Sequence, residues 1–222
     1  MKKILAIVLA ALMLVAFVGC GNDTVETEAP ETNAPETNAP ETNAPETEAP
    51  ETEEGFEDFE PVEVPANSAT DVLNGVWATY PEEEKFFAMG GYNEYMNMSG
   101  AGVMPTDDED SLLSIQAMCV LPESVMASFD TVGILMHGMN ANTFTAGCFK
   151  LVDGASAEDF AAAIAESVKN NQWICGFPET HTVISVEGHV ISMFGNGEAI
   201  ENFTQKTLAA YSSAVVVLTQ AL

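Results

Sequence analysis

The 222-residue sequence predicts an α+β fold: a mostly antiparallel sheet of about four to five strands, helices packed on one face, and a disordered stalk in front. Three observations predict it. Residues 26–50 repeat a pentapeptide ending in proline and, proline aside, hold no apolar side chain larger than alanine. Beyond residue 66, segments of helical spacing alternate with β-branched runs. One pair of those runs meets across Glu187-Gly188, a hairpin signal.

The chain begins with Lys2-Lys3, an apolar run over residues 4–18, then Gly19-Cys20-Gly21. That run spans about 22 Å as a helix and falls short of the ~20 residues a membrane span needs. The layout is that of a secretion signal, and Val18-Gly19-Cys20 resembles the lipobox of bacterial lipoproteins, with Phe17 where leucine is usual. Residues 1–19 are therefore expected to be removed, leaving Cys20 to carry a thioether-linked lipid that holds the chain to a membrane. An uncleaved anchor and a cut elsewhere are the alternatives.

Residues 21–65 form the predicted stalk. Copies of Glu-Thr-Asn/Glu-Ala-Pro start at Glu26, Glu31, Glu36, Glu41 and Glu46. Proline blocks helix and removes ladder donors, glutamates repel, and the repeats of residues 26–50 hold no large apolar side chain to offset the ordering entropy. An extended, partly polyproline-like spacer follows, with a reach of at most ~140 Å.

Residues 66–222 suffice for one globular domain with its own core. Ala69, Val72, Leu73, Val76, Trp77 and Tyr80 lie at helical spacing behind Ser68, and Pro81 ends that helix. Residues 86–111 are glycine-rich and acidic and predict a long irregular loop, of the kind that serves as a lid or insertion. Leu113, Ile115, Ala117 and Cys119 alternate with polar or flexible residues, the period of a half-buried strand. A short helical piece opens at Pro122, an apolar stretch covers residues 132–139, and Phe144 to Leu151 reads as a strand. Asp153-Gly154 turns the chain into a helix opened by Ser156 and Asp159 and running to about Lys169. The hairpin of residues 182–186 and 189–194 follows. A last helix carries Ile200, Phe203, Thr207 and Tyr211 on one stripe, and residues 215–218 close with a strand.

Charge excludes several functions. There is no arginine, and residues 66–222 hold 19 acids against four lysines. Such a surface repels nucleic acid and anionic headgroups and lacks the forked donor suited to phosphate. No Gly-x-Ser-x-Gly elbow, phosphate loop or His-Glu-x-x-His motif occurs. Nothing calls for a cofactor.

Three local patterns carry candidate chemistry. Trp173, Cys175 and Phe177 share one loop, where aromatic side chains can form a binding surface. Cys175 as a nucleophile would need a base, and His181 is the nearest in sequence. Met96, Met98, Met136, His137 and Met139 offer soft ligands of the type that hold Cu(I), although methionine also fills cores. Asp107, Asp108, Glu109 and Asp110 could gather calcium, or equally cap a helix or strand entry. Cys119 and Cys148 read as packing residues, with a disulfide between them as the alternative.

The stretches Asn140-Ala-Asn-Thr-Phe-Thr-Ala-Gly147, Asp153-Gly154 and Asn171-Gln-Trp-Ile-Cys-Gly-Phe-Pro178 resemble those of uncharacterised lipoproteins from anaerobic Gram-positive bacteria that carry a C-terminal domain of unknown function. The resemblance implies the same order of signal, stalk and domain, and implies no activity. The expectation is a lipid-anchored chain on the extracytoplasmic face of a membrane, presenting a non-enzymatic module to an envelope protein or polymer. Metal binding is the alternative, and a thiol-dependent enzyme using Cys175 the second.

Overall fold

A computed structural model describes residues 66–222. The signal segment, Cys20 and the repeat stalk lie outside the described residues. Four helices and seven strands follow in the order α1 (Ala69–Ala78), β1 (Ala88–Met89), β2 (Gly102–Met104), α2 (Glu109–Cys119), β3 (Phe129–His137), β4 (Phe144–Leu151), α3 (Ala157–Lys169), β5 (Thr180–Val186), β6 (His189–Gly195), α4 (Gly197–Ala210) and β7 (Val215–Ala221).

The strands make one antiparallel sheet in the order β1-β3-β4-β6-β5-β7, with β2 also on β3. The α+β class holds. The strand number is seven rather than four or five: β1 and β2 are too short to leave a periodic signal, an apolar stretch became the full strand β3, and residues 113–119 are helical instead.

Helices cover both faces, not one. Leu73 and Val76 of α1 and Ile200 and Phe203 of α4 bury Ala146, Cys148, Ile184 and Ile191 on one side. On the other, Ile115 of α2 and Phe160, Ile164 and Val168 of α3 bury Val132, Ile134, Phe149, Val183 and Val190. Successive strand residues feed opposite layers, so the central strands are buried along almost their whole length. That burial favours a run of apolar residues over strict alternation.

Two segments differ from expectation. Residues 113–119 belong to α2, a helix: Ser111, Ile115 and Cys119 are buried at steps of four, while Leu113 is 55 % exposed. Asp108 starts it, its Oδ1 accepting the Ser111 N–H at 2.9 Å, with Glu109 and Asp110 in the first turn. Carboxylates there offset the unpaired N–H groups of the helix end. Residues 86–111 are also more than a loop. Asn74 of α1 grips Ala101 through both main-chain atoms, at 2.8 and 3.2 Å, and Trp77 Nε1 donates to the Ser99 carbonyl. These long-range bonds fix the chain just before β2, and pairing with β3 holds both β1 and β2 without any local periodicity.

Elsewhere the local signals operate as read. Ser68 and Ser156 cap α1 and α3. Glu187 (φ 47°) and Gly188 (φ 79°) form the β5–β6 turn, whose positive φ values suit the twist of the flanking strands.

Candidate functional site

The loop between α3 and β5 crosses one end of the sheet beside the β3–β4 connection. Its turn is made by Cys175 (φ 64°) and Gly176 (φ 139°). Asn142 Nδ2 donates to the carbonyls of Ile174 (2.8 Å) and Gly176 (3.1 Å), and Asn140 Nδ2 to that of Cys175 (3.2 Å). Three consecutive carbonyls are thus held by two side chains.

Those side chains are themselves fixed. Asn140 Oδ1 accepts the Asn142 N–H at 3.1 Å, and His137 Nδ1 accepts the N–H groups of Met139 and Asn140. Below the loop, Trp173 packs on Phe194 with ring centroids 4.8 Å apart, and Pro178 is buried. The result is a braced loop that turns apolar groups outward: Ile174 is 78 % exposed, Phe177 82 % and nearby Met139 83 %. Of the expected binding surface, Trp173 is the root, Cys175 the exposed turn and Phe177 the tip.

Beside the tip lies a pocket of about 140 Å³, lined by Asn140, Asn142, Thr143, Phe177, Glu179 and Asn196, with Gly176. Glu179 Oε2 accepts the Gly197 N–H at 2.8 Å, Asn196 Oδ1 that of Glu198 at 3.0 Å, and the Thr143 carbonyl that of Asn196 at 2.9 Å. A second hollow of about 210 Å³ shares Thr143 and Asn196 and continues past Phe86, Glu198 and Asn202 to Tyr80. Asn140, Asn142, Thr143, Glu179 and Asn196 were missed as site residues in the sequence. The Asn-x-Asn spacing in a hairpin connection was the available signal, since asparagine side chains mimic main-chain turns.

The other candidates are dispersed. His181, buried in the sheet, holds Ser192 Oγ at 3.0 Å through Nε2 and Gln220 Nε2 at 3.2 Å through Nδ1, so neither ring nitrogen is left for Cys175. Burial pushes its imidazole down to about 4. Met136 is buried in the α2/α3 layer, His137 stacks on Phe86 at 5.2 Å, and Met139 faces outward. Neighbouring residues on a strand point to opposite faces, which separates Met136 from His137. Met96 and Met98 are exposed. Asp107 to Asp110 stand at the start of α2, with Asp108 as its cap. Among the described residues no group of three or more His, Cys, Asp or Glu side chains is gathered in a way that could hold a metal ion. Cys119 and Cys148 are free thiols buried in opposite layers, which rules out their disulfide.

Comparison with protein-family models, curated proteins and solved structures gave no match.

Proposed function

We propose that this chain is a membrane-anchored extracytoplasmic lipoprotein whose residues 66–222 form a non-enzymatic binding domain. In this reading Cys20 carries the lipid, residues 21–65 space the domain from the membrane, and the loop at residues 173–178 meets the partner. One observation carries the binding role: Ile174 and Phe177 are exposed on a loop braced by Asn140 and Asn142. Exposed apolar groups on a mobile loop would rearrange to cover themselves, whereas a braced loop keeps them presented and lowers the ordering cost of binding. The address rests on the spacing of the signal and its cysteine. Among the described residues no helix is long and apolar enough to cross a membrane.

Two measurements test the two halves. Full-length chain expressed in a Gram-positive host should enter the detergent phase with a lipid-bearing Cys20 at its N-terminus, and Cys20→Ser should abolish both. A photo-cross-linker at position 177 on intact cells should capture one reproducible envelope component, lost when Asn142→Ala releases the loop. Aqueous partitioning of the wild type would refute the anchor. Labelling indistinguishable from a probe on the opposite end of the sheet would refute the binding surface.

A further inference from the structure

We infer that the groove beside Phe177 is a saccharide site, taking a neutral or amine-bearing sugar unit of an envelope polymer. The inference rests on the binding reading above and names its ligand class.

The argument begins with polar atoms that are oriented but not used up. Asn142 spends its amide N–H groups on Ile174 and Gly176, which leaves Oδ1 without a partner among the described residues. Asn196 spends Oδ1 on the Glu198 N–H, which leaves Nδ2. Glu179 spends Oε2 on the Gly197 N–H, which leaves Oε1. All three residues line the same pocket. Each side chain is therefore fixed by a main-chain bond and retains an acceptor, a donor or a carboxylate oxygen. A ligand that must both donate and accept at neighbouring positions fits this set, and adjacent hydroxyl groups do so. Fixed groups also lose little freedom on binding.

The apolar component points the same way. Phe177 stands at the pocket rim with 82 % of its surface exposed. A flat aromatic face matches the C–H face of a pyranose, while the hydroxyl edge turns towards the amides and carboxylate. The two hollows share Thr143 and Asn196, so the site has length for more than one sugar unit.

Charge narrows the class. Glu179 lines the first hollow, Glu84 and Glu198 the second, and no lysine lines either. Lys206 lies 3.5 Å from Glu84 and over the Tyr80 ring, and Lys85 is paired with Glu82. In the first hollow a phosphate-, sulfate- or carboxylate-bearing polymer would meet Glu179, which pairs with no lysine among the described residues. A neutral sugar meets no such penalty, and an amino sugar gains.

Calorimetric titration of the full-length chain in detergent tests this with four tetrasaccharides: cellotetraose, the N-acetylglucosamine tetramer, the glucosamine tetramer and tetragalacturonate. At least one of the first three should bind while tetragalacturonate does not. Phe177→Ala removes the platform. Asn196→Asp keeps the helix-capping oxygen and removes the donor. Each should weaken a neutral probe by about tenfold or more at an unchanged Tm. Should either variant lose its fold, saturation transfer from the Phe177 ring to probe protons in the wild-type chain supplies the same readout. No binding of any probe at tens of millimolar would overturn the proposal. So would preference for tetragalacturonate, or affinity indifferent to both variants. Capture of a protein through position 177 with no saccharide binding would overturn the sugar class and leave the binding reading standing.

Discussion

His181 and His189 are both buried in the sheet, and burial is the first cause that lowers each imidazole. His189 has no partner for either ring nitrogen among the described residues. An unfolded histidine takes a proton near 6.5, whereas folded His181 does so only at about 4. Between those values the unfolded chain binds more protons, so stability rises with pH. It is complete above about 6.5 and falls as pH drops through the folded value. Urea midpoints at several pH values across that window should decline together, and His181→Gln with His189→Leu should flatten the decline. Thiols give a second residue-scale prediction. Cys175 is exposed, while burial pushes Cys119 up to about 12 and raises Cys148. Alkylation mapped by mass spectrometry should modify Cys175 in the folded domain, and the other two only after denaturation. Protection of Cys175 in the native state would contradict its exposed place in the turn of the loop.

At the scale of elements, the end of β6 decides whether the groove exists. Gly195 pairs with Phe144 and with Thr180, and a Cβ there would collide with the Thr143 carbonyl and come within 2.9 Å of the Phe144 Cα. These are main-chain atoms that cannot swing aside. Gly195→Ala should therefore cost roughly 2–4 kcal/mol and displace Thr143 and Asn196, which bond each other across that junction. Denaturant unfolding measures the cost, and saccharide titration reads the displacement. A fully stable Gly195→Ala chain with unchanged binding would show that the junction can be remade. The same junction explains the route of the chain: Glu179 pairs its N–H with the Gly195 carbonyl just before β5 begins, which ties the braced loop to the start of α4.

For the whole domain, the sheet is common to both core layers. Phe203 fills the α1/α4 layer, and Phe149 fills the α2/α3 layer from the other side of the strands. Truncating either to alanine should cost about 3–5 kcal/mol. Because both layers rest on the same strands, each truncation should lower one shared transition rather than create two. Calorimetry and tryptophan fluorescence should then give coincident curves for the wild type and both variants. Separate melting of one layer would show that its helices unfold without the sheet.

The elements readable from sequence were those specified by neighbours in the chain. Ser68, Ser156 and Glu187-Gly188 act within a few residues of where they stand, and the helices and hairpin they delimit occur as expected. The Trp173–Phe177 segment was visible as a candidate surface for the same reason: aromatic residues crowd a short loop. What tertiary structure decided depends on distant partners. Residues 113–119 carry a strand-like alternation, but packing of Ile115 and Cys119 on one layer makes them helical. The short strands β1 and β2 exist through their pairing with β3, with Asn74 fixing Ala101 just before β2. The groove needs Asn142, Glu179 and Asn196 to arrive from three separate connections. Local propensity reports the backbone preference of a segment, whereas these features draw their free energy from contacts that exist only once the sheet has assembled.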